Sequence, residues 1–275
     1  APIGSLTGAM LGRSGLGLAA LGLAGLCQDE VGGGATAQAA ERGASWTAVA
    51  LAITTGLAFT QVQAQQPRVN WKMQSAFGTN LPHLGPPGHR FEQDIAEMSD
   101  GRFVIKFHEP GALVPTLECF DAACKGSVDA CWTTPGFHAG KYPALAFFTT
   151  VPFGPQIGEF MAWKYYGNGN KLEQEIYAKH GLMSFDAYAI GPETSGWFRA
   201  EVKSLDQLKG MKMRFFGVGA KVMQKLGVST QLLAPADIFP ALERGVIDAT
   251  EFSMPAMDIK QGFHQVAKFN YFPGW

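Results

Sequence analysis

The chain is poor in charge of either sign. Only 16% of its residues are Asp, Glu, Lys or Arg, and 22 basic residues nearly balance 23 acidic ones. Without a basic block there is nothing to neutralise a phosphate backbone, which excludes nucleic acid as a partner. Cysteine is scarce, with four in all. Cys119, Cys124 and Cys131 are spaced by five and seven residues, and without a CxxC pair they match no zinc pattern. There is no GxSxG elbow, no GxxxxGK loop and no HExxH helix, so the common hydrolase, nucleotide-binding and metalloprotease signatures are missing. His83, His89, His138 and His180 have no metal-helix spacing and read as scattered surface or loop histidines.

What is present is apolar. Hydrophobic residues make up 47% of the 275, enough for a sizeable core in one or two domains. Residues 1–43 are rich in Gly, Ala and Leu and are expected to be a low-complexity extension upstream of the fold. Residues 44–64 read as a secretory signal peptide. Arg42 precedes the apolar run Trp46 to Thr60, and Val62-Gln63-Ala64 forms a small-x-small cleavage site. A spanning helix needs ~20 apolar residues, so export is favoured over a retained anchor. A lipoprotein signal from Met10 to Cys27 is the rival, weakened by Leu26 where a small residue belongs. With that region set aside, three cysteines remain, and an odd number in an oxidising compartment leaves at least one thiol free or paired between molecules. Cys119 and Cys131 read as small buried hydrophobes. Cys124, near a helix end, is the more exposed.

From Arg68 onward strands alternate with helices. Val69 to Phe77 is a strand, His89 to Arg102 an amphipathic helix stopped at Gly101, 102–109 a strand, and Thr116 to Lys125 a helix ended by Gly126. Strand and turn follow at 127–136. This βαβαβ opening predicts a parallel sheet covered by helices. An irregular aromatic connector leads to a helical region at 157–181, interrupted at Gly167-Asn168-Gly169. Further strands are expected at 182–191, 195–201, 211–216, 228–234 and 246–252, with helices at 204–208, 218–226 and 235–245. Two α/β lobes joined near residues 190 and 250 account for this order.

Arg214 is flanked by Met211, Met213, Phe215 and Phe216. A permanently charged fork among such neighbours is costly unless it meets a carboxylate. Glu251 closes a second apolar strand. Each is positioned to project from the end of a rigid strand into a cleft, which suits a receptor for a small anion.

The segments VDACWTTPGFHAGKYPA, GWFRAEVKSLDQLKGMKMRFFGVGAKVMQKLG, LERGVIDATEF and YFPGW resemble the periplasmic solute-binding proteins of TRAP (tripartite ATP-independent periplasmic) transporters, the DctP-like family. The match runs from Trp71 to Trp275 and is most similar to the branch that binds 2-oxo acids or lactate with a metal. It implies a type II periplasmic binding protein-like fold, with lobe 1 at 65–192, lobe 2 at 193–250 and a crossover back toward lobe 1 at 251–275. It also implies a continuation beyond Trp275, so that the chain reads as C-terminally truncated.

By this resemblance Arg214 takes the substrate carboxylate in two parallel hydrogen bonds. Glu193, Glu251 and the backbone carbonyl of Phe252 hold a Na⁺ or Ca²⁺ that touches the substrate, as oxygen ligands suit hard cations. Glu193 stands where the family usually has Gln, and Phe252 where it usually has Trp. The other wall is expected from Ser75, Phe77, Trp132, Phe137 and Tyr142. The implied partners are a small organic anion and the TRAP membrane permease subunits, with a homodimer left open. Two other classes share such a scaffold: an exported ligand-sensing module and an exported α/β enzyme.

Overall fold

The structure is a computed structural model that describes residues 6–12 and 68–274. The expected signal peptide at 44–64 lies outside the described residues. So does most of the 1–43 stretch, but not all of it. Leu6–Gly12, a run with neither charge nor proline, forms strand β1. It lies antiparallel between two strands of the first sheet. This corrects the expectation that 1–43 stands apart from the fold. Those neighbours would otherwise present bare backbone edges, and an extended uncharged segment satisfies both.

Val69–Ser75 forms β2. Helix α1 follows at Pro86–Met98, one turn earlier than expected. Proline fits the first helical turn because its missing N–H has no partner to lose there. Next come β3 (Phe103–His108), α2 (Cys119–Cys124) and β4 (Ala130–Thr133). The glycine-interrupted helical region is two helices, α3 (Ile157–Tyr166) and α4 (Gly169–Ala178). At the start of α3 the backbone N–H of Gln156 donates to Glu159 Oε2 at 2.9 Å, which satisfies an otherwise free donor. Strand β5 (Leu182–Ala189) completes the first sheet, whose order is β3-β2-β4-β1-β5. Strand β2 is parallel to both β3 and β4. Met73, Ile105, Ala130 and Trp132 are buried in its core.

The second sheet begins with β6 (Gly196–Phe198) and β7 (Lys212–Arg214). Helix α5 (Gly217–Lys225), β8 (Ser229–Gln231), α6 (Pro235–Glu243) and β9 (Ala249–Thr250) follow. The chain ends through α7 (Pro255–Lys260), α8 (Phe263–Val266) and β10 (Phe269–Tyr271). The strand order is β10-β6-β9-β7-β8, with β7 parallel to both β8 and β9. Residues 251–274 therefore do not cross back toward the first lobe. Strand β10 pairs antiparallel with β6, the Tyr271 ring packs edge-on against Phe198, and the Tyr271 hydroxyl donates to Val202 O at 3.0 Å. These contacts hold the segment in the second lobe. No helix among the described residues is long and apolar enough to cross a membrane.

Cys119 and Cys131 are buried, as expected, but they are not separate thiols. Their Cα atoms are 6.1 Å apart and the two form a disulfide between α2 and β4. That separation lies within bridging range. Cys124 is free and exposed. The bridge spans 12 residues of sequence, and in the chain-entropy account a loop of this size contributes about 3 kcal/mol. Replacing both cysteines with Ser is expected to lower the free energy of urea-induced unfolding by about 2–3 kcal/mol, with Cys124 unaffected.

Candidate ligand site between the two sheets

The site is built where parallel strands end. Strand β7 pairs with β9 so that Arg214 lies opposite Thr250, and the N–H of Glu251 donates to Arg214 O at 3.1 Å. Register alone thus brings Arg214 and Glu251 together at the carboxyl ends of adjacent strands, where α/β folds bind ligands. Arg214 is 1% exposed and Glu251 3%. Arg214 Nη1 lies 3.3 Å from Glu251 Oε2 and also donates to the Glu251 carbonyl. Glu251 Oε2 accepts the N–H of Phe216 at 3.0 Å. Its other oxygen, Oε1, is buried and accepts from no backbone or basic donor.

Beside this pair lies a small cavity of about 20 Å³, room for about one water molecule. Glu193 and Arg214 supply its charge, and Thr134 and Ser253 add polar groups. Phe137 and Phe252 line it as well, together with Phe77, Leu84, Ile190 and Phe216. The Arg214 guanidinium lies 5.4 Å from the centre of the Phe252 ring and 5.9 Å from that of Phe216, within cation–π range. Arg214, Glu193, Phe137 and Phe252 are therefore brought to one cavity, with Glu251 paired to Arg214 beside it.

Ser75 and Trp132, expected in the wall, do not line this cavity. The Ser75 hydroxyl donates to Phe77 O and accepts from Phe77 N, which fixes the turn after β2. Trp132 Nε1 donates to Leu84 O at 2.8 Å, and its ring packs against Phe91 and Tyr188. Tyr142 is elsewhere, against Phe120 and His180. His138 is buried rather than at the surface, and burial lowers its pKa to about 4. Leu84, Ile190, Phe216 and Ser253 are not singled out as lining residues by the sequence; three of them lie close along the chain to Glu193, Arg214 and Glu251, but which side chains face the cavity is set by the strand ends and the packing of the lobes.

Asp258 is the functional neighbour that sequence reasoning missed. It is fully buried on α7, accepts Trp197 Nε1–H at 2.8 Å, and lies 3.4 Å from the Thr194 hydroxyl that donates to it. It thereby ties α7 to the segment carrying Glu193. The Thr194 N–H donates to Ser253 O at 3.2 Å, joining the same two stretches again. Gly274 packs against the Glu193 carbonyl so closely that a Cβ at 274 would overlap it.

Electrostatically the cluster has more acid than base. Burial, reinforced by the Glu251 and Asp258 carboxylates, pushes the Glu193 carboxyl well above the usual range. Burial raises Asp258 to about 8, against the opposing Trp197 hydrogen bond. Burial also lowers Arg214, which the three carboxylates oppose.

The described residues form two sheet-based lobes with the buried Arg214 and its acidic neighbours between them. Residues 84–274 match the bacterial extracellular solute-binding proteins of family 7, and the chain belongs to that family. It is 41% identical over 234 residues to a monocarboxylate 2-oxoacid-binding periplasmic protein of Nostoc sp. PCC 7120, covering 83% of this chain and 64% of that protein. Among solved structures, a TRAP solute-binding protein of Bordetella bronchiseptica, with copurified calcium and picolinate in its active site, is 36% identical with a TM-score of 0.74. That match covers 76% of this chain and 62% of the other. A TRAP periplasmic solute-binding protein of Pseudoalteromonas atlantica with bound sodium and pyruvate is 36% identical, TM-score 0.72, over 76% of this chain and 63% of that one. The chain thus spans less than two thirds of the length of these relatives.

A raised carboxyl pKa means that the fold favours the protonated form, so its contribution to stability falls as pH rises from the unfolded value through the folded one. For Asp258 the window is about pH 4 to pH 8. Asn keeps an acceptor for Trp197 and carries no charge. The stability of Asp258→Asn relative to the parent, measured by urea unfolding without ligand, is therefore expected to rise steadily across that window.

Proposed function

We propose that the chain is an extracytoplasmic receptor that captures a small monocarboxylate, a 2-oxo or 2-hydroxy acid, and passes it to the membrane permease of a TRAP transporter. The observation that carries this reading is Arg214, a buried guanidinium at a strand end facing a small cavity lined mainly by aromatic and aliphatic side chains. Such a fork binds a carboxylate through two parallel charge-assisted hydrogen bonds. The apolar wall offers few partners to a second charged group, and the cleft must open beyond its state in this structure to admit the ligand. Capture without catalysis is the role proposed, in the periplasm.

A hard cation, Na⁺ or Ca²⁺, fits the donor set. Glu251 Oε1 is buried and accepts from no backbone or basic donor, and the Glu251 side chain lies close enough to raise the Glu193 carboxyl. A cation held beside Glu193 would relieve that cost. Among the described residues no group of three or more His, Cys, Asp or Glu side chains is arranged to hold a metal. Glu193, Glu251 and the Phe252 carbonyl would hold the cation together with oxygens of the ligand, which would couple cation binding to substrate binding. A bound cation would supply positive charge toward the substrate carboxylate. Arg214 orients the substrate carboxylate, and the Phe252 and Phe216 rings exclude water.

Calorimetry with pyruvate in the presence of calcium tests the role of Arg214. Arg214→Ala is expected to weaken binding by at least ~2 kcal/mol, about thirtyfold, since a charged bidentate contact is lost. Arg214→Lys recovers only part, because an ammonium lacks the planar fork. Equal affinity in the Ala variant and the parent overturns the assignment.

Glu193 gives a second test. Its carboxyl holds its proton above the usual range, and a cation must displace that proton. Calcium affinity in the parent is expected to climb with pH, whereas in Glu193→Gln the climb is shallower and the affinity at high pH lower. Parallel pH profiles for the two proteins, by calcium titration calorimetry, count against Glu193 as a ligand.

A further inference from the structure

Gly136 lies in the turn of 3₁₀ helix after β4, in the first lobe. Phe216 immediately precedes α5, in the second. The two meet across the cleft. A Cβ placed on Gly136 would fall 2.7 and 2.9 Å from Phe216 Cε1 and Cε2, and closer still to Cζ. All three of its nearest neighbours belong to this one ring from the opposite lobe. The Gly136 backbone lies outside the left-handed region, so alanine is compatible with its local conformation. The obstacle to a side chain at 136 is therefore the other lobe and not the lobe that carries it.

The Phe216 ring is held on two further sides. Phe137 meets it edge-to-face, with centroids 5.3 Å apart, and the Arg214 guanidinium lies 5.9 Å from its centre. Phe216 is buried at 7% exposure. A ring enclosed between a glycine, an aromatic edge and a cation has little freedom to move aside for a methyl group.

We propose that Gly136 and Phe216 form a size-matched clasp: the missing side chain at 136 leaves the space that the Phe216 ring occupies when the lobes meet, so the combined bulk of the two side chains decides whether the cleft closes. The clasp is a positioning device, and its effect on ligand retention rests on the carboxylate-receptor reading. Closure itself does not.

The test separates the two. In a Cys27→Ser background, spin labels on the natural Cys124, which is exposed, and on Lys221→Cys, an exposed position of α5, report the distance between lobes in the whole chain. The parent is expected to show a short-distance population that grows with pyruvate and calcium. Gly136→Ala loses it, and Gly136→Ala combined with Phe216→Leu regains it, because leucine lacks the ring atoms that clash. The thermal midpoint of the ligand-free Gly136→Ala chain stays at the parent value. In calorimetry Gly136→Ala weakens pyruvate binding about tenfold, as an overpacked contact does. With Leu at 216 the same substitution changes affinity within about twofold. If pyruvate binds none of the variants, the carboxylate-receptor reading fails and the label distances alone decide the clasp. Indistinguishable distances in Gly136→Ala and the parent, or an equal cost of Gly136→Ala with Phe or Leu at 216, overturn it.

Discussion

The ion pair of Arg214 and Glu251 is the constraint around which the second lobe is organised. Burying a guanidinium costs several kcal/mol unless its donors are met; here Nη1 donates to the carboxylate and carbonyl of Glu251, and Nε to the Leu233 carbonyl at 3.4 Å. That geometry exists only because β7 and β9 run parallel in one register. The short strands of the second sheet can be understood in this light. Strand β9 has two residues and β7 three, enough to fix the ends of both strands relative to each other and to leave their last side chains facing the cleft.

The pair does not balance the cluster. Glu193 and Asp258 add two further acids near a single guanidinium, and burial raises both. Without a ligand, the surplus charge is most cheaply removed by protons. In the proposed role a cation between Glu193 and Glu251 would do the same work, so that protons and metal would compete for one set of oxygens. A substrate carboxylate would bring negative charge back and favour the cation. On that reading, affinity for anion, cation and proton is one linked property of the cluster.

The three acids of the cluster come from two stretches of chain, 190–197 and 250–258, and these are bound to each other. Thr194 donates to Ser253, and Trp197 and Thr194 donate to Asp258; Ser195 adds a hydrogen bond to Pro273 O at 2.9 Å. Arg214 joins them from β7 through Glu251. The first lobe contributes Phe77, Leu84, Thr134 and Phe137 to the cavity, all of them uncharged, so every charged group of the site belongs to the second half of the chain.

Much of this was legible in the sequence because it depends on local periodicity and composition. The alternation of strands and helices, the break at Gly167-Asn168-Gly169, and Arg214 and Glu251 as strand-end charges in apolar runs all follow from neighbours a few residues away. The tertiary structure decided what depends on distant partners. Nothing in Leu6–Gly12 marks it as the strand that fills the gap between β4 and β5. Nothing beside Lys164 in the sequence shows that it is buried against Glu173 and Asp186. Trp132 and Ser75 carry the residue types of a binding wall but are used for packing, whereas Asp258 and Gly136 are unremarkable until their opposites are known. Side-chain chemistry and period are written along the chain. Which backbone edge, carboxylate or ring each group meets is set by strand register and lobe packing, and these exist only once the chain has folded.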